Sequence, residues 1–349
     1  MKLYNRINSA KRPIIAPLAG FPGMRLTGGN LQENLTSAAR QFDTVSSLYD
    51  RFRPDFVFPM MDLTVECEAA GAKVKMSDEA PAVEGHAVCC AGDLSKLKLP
   101  SAGGEGRLHV FIDTVRMIVK NLPTEAVKCG YILGPLSMAG RLMGTTELAV
   151  NVALEPEFVH GLLEFCHAFL QEYLSGILAS GPDCVWILEP TASLFSPSQA
   201  GEFSNAYVRQ LMEKIKSAGA SPVLHNCGRI GHLMESYSKI GTEGLSVGSC
   251  MNLQEVWAQI PPDLVLFGNV DPSGIFLQGT PEMVREETGI ILKNMNGKAN
   301  FILSSGCDLP AGVPLENLAA FVDAAREFPW REGMDKAKLP PSKAAGQGL

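Results

Sequence analysis

The sequence predicts an α/β chain folded as a (β/α)8 TIM barrel with an elaborated connection after its second strand. Three observations carry that expectation. Eight short apolar runs recur along the first 330 of the 349 residues. Sequence compatible with helix follows each of them. The runs are near-continuous rather than alternating, which suits parallel strands covered on both faces. A doubly wound open sheet is the rival arrangement, and the count of eight favours the barrel.

The first run is PIIAPLAG (13–20) and the second DFVFPM (55–60). Between the second and third, residues 62–126 break the rhythm with SDEAPAVEG and LPSAGGEGR. These stretches of turn formers and charge read as an elaborated connection, not a second domain. The remaining runs are VKCGYILGP (127–135), DCVWILEP (183–190), PVLHNCG (222–228), EGLSVGS (243–249), DLVLFGNVDP (263–272) and NFILSSGC (300–307). Residues 155–180 carry Phe158, Leu162, Phe165, Phe169, Leu170, Leu174, Ile177 and Leu178 at helical spacings. Segments 197–217, 252–259, 281–295 and 315–327 behave alike. Residues 1–330 are thus expected to form one barrel domain. The polar stretch 331–349, with two adjacent prolines, is expected to be a surface or disordered tail.

Charge narrows the function. With 30 Lys and Arg against 37 Asp and Glu, a net charge of −7 excludes a nucleic-acid binder that needs a basic stripe. No stretch reaches the about 18 to 20 uncharged apolar residues that span a bilayer. The N-terminal residues alternate charge and proline where a signal peptide needs an apolar core, so the expected compartment is the cytoplasm. Nine cysteines cannot all pair, and a reducing compartment disfavours disulfides. Most are expected to be buried packing, and any special ones metal ligands or nucleophiles.

A barrel gathers its site at the C-terminal ends of its strands. There the sequence places Met60-Met61-Asp62, Gly134-Pro135, Glu189-Pro190, His225-Asn226-Cys227-Gly228, Gly248-Ser249-Cys250, Asn269-Val270-Asp271 and Ser305-Gly306-Cys307-Asp308. His225 and Cys227 are two apart and share a face of an extended strand end. With Cys307 they make a nitrogen-plus-two-sulfur set suited to Zn2+, leaving a fourth position open. From spacing alone, core cysteines and a histidine bonded to a carbonyl account for the same residues equally well.

The order of elements, with HNCG followed eighty residues later by SSGC, resembles the uroporphyrinogen decarboxylase superfamily. FGNVDP and LEPTAS resemble its zinc-dependent, corrinoid-linked methyltransferase branch, and the resemblance spans residues 12 to 330. It implies zinc held by His225, Cys227 and Cys307 in the mouth of a barrel. It also implies a corrinoid carried by a partner protein. A methyl group would pass between that cobalt and a thiol such as coenzyme M, or from a methoxy-aromatic or other methyl donor. D-x-H-x-x-G, the corrinoid-binding motif, fails here because Val223 stands in place of its Asp. A decarboxylase without metal and a non-catalytic zinc barrel are the alternatives. The decarboxylases carry an Arg-rich N-terminal segment for substrate carboxylates, whereas PLAGFPGMRLTG offers only Arg25.

Other strand-end residues have open roles. Glu189 is the candidate fourth ligand or general acid/base, or else a solvated or ion-paired carboxylate. Asp62 resembles the decarboxylases' pyrrole-binding aspartate. It is a candidate for orienting substrate or a ligand imidazole, or else a strand-end cap. Cys250 is a reserve ligand or a packed residue, and Asp271 is expected to cap the following turn. Met24, Met60, Met61, Met138 and Met143 form a flexible apolar rim or fill the core. Arg25 and Arg141 are the few cations near the mouth, which favours a neutral or aromatic methyl donor over an anionic thiol. The six remaining cysteines are assigned to packing.

Overall fold

The computed structural model describes residues 2–8, 10–77, 80–100 and 105–330, so the expected tail lies outside the described residues. In chain order the strands are β1 (Phe56–Val57), β2 (Val74–Lys75), β3 (Ala82–Val83), β4 (Val127–Leu133), β5 (Cys184–Leu188), β6 (Ser221–Asn226), β7 (Gly244–Val247), β8 (Val265–Val270) and β9 (Phe301–Ser305). β2 and β3 form a small antiparallel pair within the long connection. The other seven form one parallel sheet in the order β1-β4-β5-β6-β7-β8-β9.

The first apolar run closes that sheet. Ile15 bridges Leu303 of β9 in parallel, with Ala16 N donating to Leu303 O and Leu303 N to Ile14 O. On its other side Asp55 N donates to Ile15 O, while the Asp55 carboxylate accepts from Ile15 N. Pro13 and Pro17 flank this contact and have no N–H to give. The run therefore makes a bridge rather than a long ladder. With it, the eight expected runs form a curled, closed sheet.

Aromatic rings fill the lumen. Trp186 on β5 lies 4.9 Å from Phe267 on β8 and 5.1 Å from Phe58, just beyond β1. Two strands stand between β5 and β8 in the sheet, so these rings meet only across a closed barrel. Outside it runs one helix per strand. These are Ala38–Phe52, Leu108–Asn121, Pro156–Ala179, Ala206–Ser217, Met234–Lys239, Leu253–Trp257, Pro281–Met295 and Leu315–Glu327. Pro156–Ala179 buries Leu162, Phe169, Leu170, Leu174 and Ile177 as its spacing predicts; Phe158, Phe165 and Leu178 pack at the edge. Two further helices, Pro135–Met143 and Thr145–Leu154, follow β4 on the mouth side. Among the described residues no helix is long and apolar enough to cross a membrane.

All nine cysteines are free. Cys67, Cys129, Cys166 and Cys184 are buried as expected. Cys89 and Cys90 correct the packing assignment: both are exposed. They precede the short turn Ala91–Lys96 of the long connection, and the Asp93 carboxylate accepts both of their backbone N–H groups at the surface.

Candidate metal centre

His225 is the penultimate residue of β6, Cys227 follows the strand, and Cys307 lies two residues beyond β9. Curling of the sheet brings the three together, with their ligand atoms all within 4.8 Å of one another. Parallel register sets His225 beside Ser246 on β7. The Ser246 hydroxyl lies 2.9 Å from His225 Nδ1, so Nε2 faces the Cys307 sulfur at 3.7 Å. Gly248 makes the close approach possible, since a Cβ there would overlap the Cys227 backbone.

The donor set fits zinc. Tetrahedral Zn–S and Zn–N bonds of about 2.3 and 2.0 Å place sulfur and nitrogen roughly 3.5 Å apart, close to the 3.7 Å observed. The Cys227 thiol is pulled below its usual range, first by the Cys307 thiol and then by His225. Cys307 moves the opposite way, because its hydrogen bond to Cys227 favours the protonated form and burial adds to it. Two thiols held beside an imidazole form a set whose thiolate charge a divalent cation would neutralise. Exposed Cys250 lies alongside, its Sγ 3.5 Å from the Cys227 carbonyl, and is not one of the converging three.

Glu189 is placed differently. Its backbone is stitched to the His225 strand, with Glu189 N donating to His225 O and Asn226 Nδ2 to Glu189 O. Its carboxylate turns toward the helix Pro135–Met143. It accepts from Leu136 N at 3.1 Å, Ser137 N at 2.7 Å and the Ser137 hydroxyl. Burial pushes it up to about 7, while these donors and the positive end of the helix pull against that rise. Gly134 leaves room for the side chain.

Asp62 is buried and fully engaged. One oxygen accepts from Thr64 N and Thr64 Oγ1, and the other pairs with Arg107. Arg107 also reaches Glu68 at 2.7 Å. Asp271 caps the turn Pro272–Leu277 through Ser273 N and Gly274 N. Met60, Met61, Met138 and Met143 are core residues and Met24 packs half-buried against them. Arg25 is exposed and Arg141 half-buried; neither has an ion-pair partner among the described residues.

Four residues near the mouth were not singled out by sequence reasoning: Ser246, Arg107, Tyr131 and Glu66. Only register and tertiary contacts reveal them. One Glu66 oxygen accepts from Leu133 N at 2.9 Å, and the other is buried without a partner among the described residues.

The profile of the uroporphyrinogen decarboxylase family matches residues 12–328. The methylcobamide:CoM methyltransferase MtbA of Methanosarcina acetivorans is 28% identical over 271 residues, covering 76% of this chain and 78% of MtbA. A uroporphyrinogen decarboxylase of Aliivibrio fischeri is 26% identical over 322 residues, covering 89% of each. A solved methyltransferase from Methanosarcina mazei superposes with a TM-score of 0.83 at 22% identity, covering 93% of this chain and 97% of that one.

Proposed function

The chain belongs to the uroporphyrinogen decarboxylase family, and within it we propose a zinc-dependent methyltransferase. It moves a methyl group between a corrinoid, carried on a partner protein, and the sulfur of a small thiol. The observation that carries this reading is the convergence of His225, Cys227 and Cys307 at the barrel mouth. Similarity to a methylcobamide:CoM methyltransferase supports the thiol as methyl acceptor.

His225, Cys227 and Cys307 would hold the zinc, and Ser246 would orient the imidazole. Zinc at this site would supply the Lewis acidity that makes a substrate thiol easier to deprotonate near neutral pH. Glu189, with its carboxyl held near 7, can keep or release a proton at the wall of the mouth. The half-buried Arg141 guanidinium supplies positive charge for an anionic thiol's tail. The end of the barrel that carries the three ligands would face the corrinoid of the partner protein.

Decarboxylation is a poorer match to these residues. A decarboxylase has no use for a sulfur-rich metal set. The aspartate it would use for pyrroles, Asp62, already spends both oxygens on Thr64 and Arg107.

The test is metal content joined to methyl transfer. Pure wild-type protein should carry one zinc per chain, and Cys227→Ser and Cys307→Ser should each lose it. Mixed with a methyl-Co(III) corrinoid protein and coenzyme M, the wild type should convert the methyl-Co(III) spectrum to Co(I). Absence of zinc, or zinc undiminished in both variants, overturns the proposal. Zinc without methyl transfer to any thiol or from any methoxy-aromatic leaves a non-catalytic zinc barrel.

A further inference from the structure

We propose that the Tyr131 hydroxyl is a substrate-binding group, donating a hydrogen bond to the sulfur that substrate brings to His225, Cys227 and Cys307. This rests on the function proposed above.

Tyr131 lies on β4 in register with Trp186 on β5. Its ring stacks on Phe58 at 5.3 Å with an interplanar angle of 10° and meets Trp186 edge-on. The Trp186 ring is in turn 6.3 Å from that of His225. The phenol therefore belongs to the lumen layer next to the three ligands. Burial pushes its hydroxyl up most, and the charges of Asp308, on the loop that supplies the third ligand, of Cys129 lower on its own strand, and of Cys307 add to that rise.

That hydroxyl is buried and has no hydrogen-bond partner among the described residues. Buried phenols ordinarily find one, and an unpaired donor costs stability. The Trp186 N–H is unpaired too among the described residues, but Trp186 is wholly enclosed, whereas Tyr131, though not its hydroxyl oxygen, keeps 8% of its surface accessible. A donor held rigidly by stacking, and left unsatisfied beside a metal-ligand cluster, is suited to an acceptor that arrives with substrate. A thiolate sulfur is such an acceptor.

Tyr131→Phe removes the hydroxyl and keeps the ring. In the zinc-loaded protein, zinc content should be unchanged, and the thermal midpoint unchanged or raised, because an unpaired polar atom is deleted. Calorimetric titration should show the Kd for coenzyme M, and equally for uncharged 2-mercaptoethanol, weakened about tenfold. A structural role for the hydroxyl predicts the reverse, a lower midpoint with unchanged thiol affinity. Thiol binding within twofold of wild type overturns this inference alone. A wild type that takes no zinc overturns the functional reading and this inference with it.

Discussion

His225 Nδ1 and the Ser246 hydroxyl lie 2.9 Å apart on neighbouring strands, and this contact decides which imidazole nitrogen faces the two thiols. A ligand histidine held through its second nitrogen loses little freedom on binding metal. Removing such a partner typically lowers metal affinity by about 10- to 100-fold. Ser246→Ala should therefore weaken zinc binding by about tenfold in chelator competition. Folding stability should fall by only about 1 kcal/mol. Zinc affinity equal to wild type would show that the serine does not orient the ligand.

Asp62 and Arg107 form a different kind of contact, a buried ion pair whose side chains are 0% and 10% exposed. Asp62→Asn leaves the guanidinium with Glu68 as its one carboxylate and with the neutral Thr64 hydroxyl, and Glu68 is partly solvated. Breaking one side of a buried pair costs about 3 to 5 kcal/mol. The variant should lose stability on that scale in urea denaturation while retaining zinc. Loss of zinc with little loss of stability would instead tie Asp62 to the metal centre.

Much of this architecture is legible in the sequence, for physical reasons. Parallel strands covered on both faces read as continuous apolar runs, and barrel closure sends their ends to one rim. Period-two spacing puts His225 and Cys227 on one face, and it fits ligands and core packing equally well. Spacing does not reveal Ser246, because it reaches His225 through interstrand register. Arg107 meets Asp62 across 45 residues of loop and helix. Helix Ala38–Phe52 buries polar residues beside its apolar ones, and their partners are not readable from its own pattern. There Gln41 Nε2 donates to Asn34 O, Gln41 Oε1 accepts from Met60 N, and Thr44 bonds Asn34. Glu189 lies just past β5, and its carboxylate is buried against backbone and hydroxyl donors and not solvated or ion-paired. Its engagement with the helix beginning at Pro135 depends on two loops meeting, which no single run reveals.

Glu66 gives the protein a pH dependence with a definite sign. Burial pushes its carboxyl from 4.5 up to about 7, so between those values the folded chain binds more protons than the unfolded one. This favours folding fully below pH 4.5 and is lost as pH rises through 7. Gln in its place can still accept from Leu133 N, and it carries no charge. Wild type and Glu66→Gln should show a stability difference near zero at pH 4. By pH 8 the variant should be ahead by about 3 kcal/mol. Urea titrations at four pH values check this, and a difference independent of pH would mean that Glu66 ionises normally.

Arg141 separates an anionic thiol from a neutral methyl donor. The scarcity of cations near the mouth favours a neutral or aromatic substrate. Yet this half-buried guanidinium, on the helix Pro135–Met143, has no ion-pair partner among the described residues. Its charge acts on the buried Glu66 and Cys67, which places it on the β1–β4 side of the barrel. If it anchors a sulfonate, Arg141→Ala should raise KM for coenzyme M by about tenfold or more, the scale of one charge-assisted hydrogen bond. KM for 2-mercaptoethanol should hardly change, because that thiol has no anionic tail to lose. Arg141→Lys should recover part of the affinity but not all, since an ammonium cannot make the planar two-point contact. Equal KM changes for both thiols would place Arg141 in the structure of the wall and not in recognition. No change for either would return the choice to a neutral methyl donor.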